Sequence, residues 1–162
     1  MNNGPTLSSG SQGADVKRLQ RILVMMKLLD YTKITGHFGS LTQQAVHQVQ
    51  VDAGLTTDGV VGPMTWQALP ADPGTVMLSQ GTNGAAVTAL QKGLTKYAPT
   101  PGSAAHPGGV DGIFGSKTHA AVRAYQEERG VTVDGIVGDE TWWVPAGGAG
   151  ATLASLAGLT TL

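Results

Sequence analysis

Apolar residues recur along this chain with the period of a helix, and the whole pattern occurs twice. Val16, Leu19, Leu23 and Met26 are spaced i, i+3, i+7, i+10, and Val87, Leu90, Leu94 and Tyr97 repeat that spacing. Side chains so spaced line one face of an α-helix, which predicts a helix in each stretch. A second helix is predicted around Ala45, Val46 and Val49, with a counterpart around Ala121, Val122 and Tyr125. A short third one carries Trp66 and Leu69, matched by Trp142. No stretch alternates apolar and polar residues for long enough to predict a strand.

The paired helices belong to a sequence repeat. Residues 7–20, LSSGSQGADVKRLQ, return at 78–91 as LSQGTNGAAVTALQ, an offset of 71. Residues 36–50, GHFGSLTQQAVHQVQ, return at 112–126 as GIFGSKTHAAVRAYQ, and GLTTDGVVGPMTW (54–66) returns as GVTVDGIVGDETW (130–142), both at an offset of 76. The extra residues of the second copy fall in 98–109, a Pro- and Gly-rich stretch that predicts a loop. The expected architecture is all-α: a three-helix module at 7–70, a linker at 71–77, a second three-helix module at 78–145, and a tail at 146–162. Each module is close to the smallest chain that can build its own core.

A shorter pattern sits inside both copies. Asp/Thr-Gly-x-Phe/Val-Gly-x-x-Thr occurs at 35–42, 58–65, 111–118 and 134–141. It reads as a turn that opens a helix. The first Gly permits positive φ, the Phe or Val plugs the core, and the second Gly caps a helix for which Pro63 suits the first position. Thr42, Thr65, Thr118 and Thr141 then fall at the third helical position, within reach of the open first turn.

Composition narrows the function. Of 162 residues only 13% are charged, and the net charge is −1, with no basic block to capture nucleic acid. There is no Cys, hence no thiol nucleophile and no Cys-ligated metal. His37, His47, His106 and His119 fall at non-equivalent repeat positions with no i, i+4 pair, so no metal site and no cofactor is expected. The first residues have neither a basic nor an apolar stretch of a Sec signal, and no apolar run is long enough to insert in a membrane. The expectation is synthesis in the cytoplasm and action at the cell wall after lysis, or as part of a particle.

The ordered string Gly-x-x-Gly-x-x-Val-x-x-Leu-Gln, Asp-Gly-x-Phe-Gly-x-x-Thr-x-x-Ala-Val-x-x-Tyr-Gln and Gly-Val-x-Val-Asp-Gly-x-Val-Gly-x-x-Thr-Trp resembles the peptidoglycan-binding-domain family. The second copy (81–142) carries it almost complete; the first (10–66) has Thr35 and Val49 where the family has Asp and an aromatic. The resemblance implies a three-helix fold without catalytic residues. It also implies a shallow groove for glycan and stem peptide near the loop before the second helix. By that analogy Asp111, Arg123 and Gln126 in the second module and Gln50 in the first are candidate glycan contacts, with the second module the stronger binder.

Each candidate has a structural alternative. Asp58, Asp111 and Asp134 are also suited to bridge backbone amides in their own turns. Gln20, Gln50, Gln91 and Gln126 are suited to join helices. Trp142 matches Trp66 as a core residue, so Trp143 points elsewhere. It is either an exposed indole for a sugar or partner, or it packs on the module's own C-terminal segment. In the tail, Leu153, Leu156, Leu159 and Leu162 form a stripe that either docks on a partner as a short helix or belongs to a flexible end.

Two functions follow. One is non-catalytic binding of peptidoglycan by two modules acting through avidity, possible also on a phage or phage-tail-like particle. The other is a structural adaptor in a phage tail or contractile injection system, whose charge-poor modules and tail dock on partner subunits.

Overall fold

The computed structural model describes residues 2–148 and 150–160, and it divides into one unit running to Pro73 and a second, Gly74–Thr160. The first unit contains α1 (Ala14–Met25), a 3-10 turn (Tyr31–Lys33), α2 (Ser40–Asp52) and α3 (Pro63–Ala68). The second contains α4 (Ala85–Tyr97), α5 (Ser116–Arg129), α6 (Asp139–Trp143) and α7 (Leu153–Leu156). Among the described residues extended pairing is limited to isolated bridges, Leu7 with Val61 and Gln12 with His37, and their equivalents Leu78 with Val137 and Asn83 with Ile113, besides Pro145 with Thr152. Among the described residues the fold is helical, and no helix is long and apolar enough to cross a membrane.

Most of the predicted apolar positions are buried, while Met26 and Tyr97 at the ends of their helix faces are half-buried. Val16, Leu19 and Leu23 on α1 and Val87, Leu90 and Leu94 on α4 are all fully inaccessible. Phe38, Val61, Phe114 and Val137, the residues expected to plug each turn, are likewise within the two cores. Trp66 and Trp142 stand at their centres, and each indole N–H finds the one acceptor it needs. Trp66 Nε1 donates to Pro5 O and Trp142 Nε1 to Val76 O, both at 2.8 Å, so the segment entering each unit closes over its tryptophan. In the first unit the Arg18 guanidinium also lies 4.6 Å from the Trp66 ring centroid and 3.6 Å from Asp72.

The helix caps follow the predicted scheme, with one difference. Gly39, Gly62, Gly115 and Gly138 are the N-caps, and Pro63 occupies the first position of α3. The threonines at the third position do not bond back to the open first turn. Their hydroxyls accept from a glutamine that clamps the preceding turn.

The tail is the element that the repeat did not predict. Leu153 and Ala154 are fully buried, and α7 packs on α4 and α6 within the second unit. Thr152 and Ser155 cap it reciprocally, each side chain taking the other's backbone N–H. Leu153 is therefore a core residue of its own chain and not a free docking group. Leu156 and Leu159 are half-buried, and Leu162 lies outside the described residues. Gly93 makes room for this packing: it replaces Ile22 of the first unit, and it brings α4 against Ala157 just beyond α7.

Candidate functional site

Four glutamines hold four turns in the same way. In the first unit Gln50 Oε1 accepts from Gly59 N at 3.0 Å. Its Nε2 reaches Asp58 Oδ1 and Val60 O at 3.0 Å and Thr65 Oγ1 at 3.1 Å. Two amide protons are thus shared among three acceptors. Gln91 makes the equivalent set with Asp111, Gly112, Ile113 and Thr118, and Gln126 with Asp134, Gly135, Ile136 and Thr141. Gln20 clamps the turn at 35–42, where Thr35 Oγ1 accepts from His37 N at 3.2 Å in place of the missing carboxylate. The Gly59 and Gly135 N–H groups point at these amides because both residues adopt φ near +70°, 73 and 74.

This arrangement corrects part of the expected glycan site. Gln50 and Gln126 are buried, and both ends of each amide are spent on the turn. Asp111 commits Oδ1 to Gln91 Nε2 and Ile113 N, which makes it a turn residue first. The Gln91 amide, followed by the Ile113 N–H, holds the Asp111 carboxyl below the usual range. For Asp58 the Val60 N–H is the larger cause and the Gln50 amide the next. Both carboxylates are ionised at neutral pH, and among the described residues the turn bonds of each fall on Oδ1.

The remaining candidates do not converge. Arg123 is exposed on α5 and makes no hydrogen bond to Asp111 or Gln126 among the described residues. Trp143 is buried and α6 is covered by α7, so its indole packs on the chain's own C-terminal segment. Its Nε1 has no partner among the described residues.

An open site does exist, in the first unit. A groove of about 280 Å³ runs between the end of α2 and the start of α3. Leu55, Val60, Pro63 and Met64 form its apolar surface, and Asp58 and Thr56 line it with polar groups. Met64 is 66% exposed, a large apolar side chain held in solvent at the mouth. The equivalent place in the second unit is bridged: Glu140, which replaces Met64, accepts from Thr132 N at 2.5 Å. Among the described residues no group of three or more His, Cys, Asp or Glu side chains could hold a metal ion.

The sequence repeat itself matches a known family. The family described as "Putative peptidoglycan binding domain" matches twice, over residues 12–69 and 83–143. The chain belongs to this family. It is 33% identical over 155 residues to a probable N-acetylmuramoyl-L-alanine amidase of Bacillus licheniformis, a match covering 86% of this chain and 44% of that protein. It is 31% identical over 156 residues to N-acetylmuramoyl-L-alanine amidase CwlM of Mycobacterium tuberculosis, covering 86% and 37%. The crystal structure of a Burkholderia AP3 phage endolysin is similar over 57% of this chain and 33% of that one, at 35% identity and a TM-score of 0.37. The chain thus spans less than half the length of these curated relatives.

The two peptidoglycan-binding modules share a scaffold and differ beside the turns at 58–65 and 134–141. The resemblance pointed to the second module because it keeps Asp111 and Tyr125. Tyr125 is buried, however, and the groove lined by Asp58 and Met64 lies in the first. The sequence signal for it was the pair Leu55 and Met64, whose counterparts are Val131 and Glu140. A single exposed apolar residue is ordinary, and it is the clustering of Met64 with Leu55, Val60 and Pro63 on one groove that sets this surface apart.

Proposed function

We propose that this protein binds bacterial cell-wall peptidoglycan without cleaving it, and that the groove beside Asp58 in the first module is the principal contact. The observation that carries this reading is the groove itself: an apolar cleft with one ionised carboxylate, on a module of a family named for peptidoglycan binding. Sugars and short peptides are recognised by this combination, in which apolar faces supply area and a few polar groups fix orientation. The second module adds affinity if it retains any contact with the same polymer, because a tethered second encounter is intramolecular. The protein then acts at the wall, whether released there or carried on a phage-like particle.

The adaptor alternative drew on the charge-poor module surfaces and on the tail leucines. Leu153 is spent inside the second unit, which removes one of those tail contacts. Sedimentation with insoluble, purified peptidoglycan tests the proposal. The full chain is expected in the pellet, and digestion of the wall should return it to the supernatant. A chain that stays soluble with intact wall refutes wall binding, and release of muropeptides by the purified chain refutes the non-catalytic part.

A further inference from the structure

The two modules place different groups at one equivalent point, and the difference identifies what the open groove accepts. In the second module the Thr132 N–H is taken by the Glu140 carboxylate. In the first, the equivalent Thr56 N–H has no hydrogen-bond partner among the described residues, because position 64 is Met. The second module thus carries an oxygen acceptor from its own chain where the first leaves a donor open at the groove. Two residues on, Asp58 offers its second carboxylate oxygen, since its turn bonds are made by Oδ1.

Resting on the peptidoglycan reading above, we infer that the first-module groove recognises a secondary amide bearing a methyl group. Its carbonyl oxygen accepts from Thr56 N–H, its N–H donates to Asp58, and its methyl packs on Leu55 and Met64. A secondary amide presents a donor and an acceptor on one small group, matching the Thr56 N–H and the second Asp58 carboxylate oxygen. A free carboxylate fits less well. Glu140 is tethered by its helix, whereas a ligand carboxylate would meet the Asp58 charge unaided. The wall polymer holds this chemistry in two places, the acetamido groups of its amino sugars and the alanyl amides of its stem peptides.

The test uses the full chain, labelled for backbone amide NMR, with two probes. One is a tetramer of N-acetylglucosamine, which has acetamido groups and no peptide; the other is a stem pentapeptide with alanyl amides and no sugar. Movement of the Thr56 amide resonance with either probe supports the inference and names the source of the amide. Met64→Glu copies the second module's closure and should weaken that binding tenfold or more, with the thermal unfolding of the chain unchanged. Glu140→Met should open the second module, so that the Thr132 resonance begins to move with the same probe. If neither probe moves Thr56 while the intact wall still sediments the chain, the amide inference fails and wall binding stands. Failure of the intact wall to sediment the chain overturns both.

Discussion

Gly93 on α4 lies directly against Ala157, so that a Cβ built on it would meet the Ala157 Cβ and backbone N at 3.1 Å. A glycine inside a helix costs about 1 kcal/mol relative to alanine, so this one is retained against the propensity of α4. What it permits is the close seat of the tail on α4 and the cover over Trp143.

Gly93→Ile restores the first module's residue and should push α7 off its seat. Overpacking of this kind costs about 1–3 kcal/mol. The second module is expected to unfold at lower denaturant, and Trp143 emission should shift to the red as its indole meets water. An unchanged midpoint with unshifted emission would show that the tail does not depend on this contact.

Removing residues 146–162 is the complementary experiment. It exposes the surface that covers Leu153, whose full burial is worth about 1.5–3 kcal/mol. The second module should lose stability by that order while the first keeps its own unfolding transition. Sedimentation with the wall should persist, because the groove beside Asp58 is untouched. Loss of wall binding on this truncation would place the ligand site in the second module instead.

Much of this fold was legible because its signals repeat. The spacing of Val16, Leu19 and Leu23 and of Val87, Leu90 and Leu94 is a packing requirement, and periodicity reports packing directly. The glutamines were harder to read. Gln50 and Gln126 look like ligand contacts singly, yet four glutamines preceding four like turns are better explained by a need each turn shares. The tail was misread for a different reason. Leucines spaced by three do not say what they pack on. The information lay elsewhere in the chain, in Gly93 facing where Ile22 had been and in Trp143 where the first copy has Gln67.

The clamp predicts a specific ranking of substitutions. Gln126→Ala leaves the buried Gly135 N–H without its acceptor and removes the donor to the Thr141 oxygen, and an unsatisfied buried group costs about 1–3 kcal/mol. Gln126→Glu should be worse at neutral pH. It replaces the donor with a charge that faces the Asp134 carboxylate, the Ile136 carbonyl and the Thr141 oxygen. Chemical denaturation should order the second-module midpoints as wild type, then Ala, then Glu, with the Glu variant recovering as pH falls and its carboxyl protonates. A Glu variant as stable as wild type at neutral pH would mean that the amide is not the clamp described here.

The last prediction concerns alkaline pH and separates the modules. Tyr97 and Tyr125 meet edge to face with centroids 4.7 Å apart, and the Tyr97 hydroxyl donates to Glu128 at 2.8 Å. Burial, followed for Tyr97 by that bond to Glu128, pushes its hydroxyl pKa up. Burial also raises Tyr125, with the neighbouring Tyr97 adding to it. Both phenols are thus favoured in their protonated form in the folded state. A group whose folded pKa is raised contributes stability that is fully present below its unfolded pKa, about 10 for tyrosine, and lost as pH rises toward the folded value. The second module should therefore weaken progressively above about pH 10. The first has Met26 and Val49 at the equivalent positions and lacks this source of alkaline sensitivity. Tyr125→Phe removes the hydroxyl that has no partner among the described residues, so it should raise second-module stability at high pH relative to wild type. Urea unfolding at pH 7 and pH 10.5, followed by module-specific amide resonances, measures the difference. Equal alkaline loss in both modules, or no protection by Tyr125→Phe, would show that the tyrosine pair does not govern it.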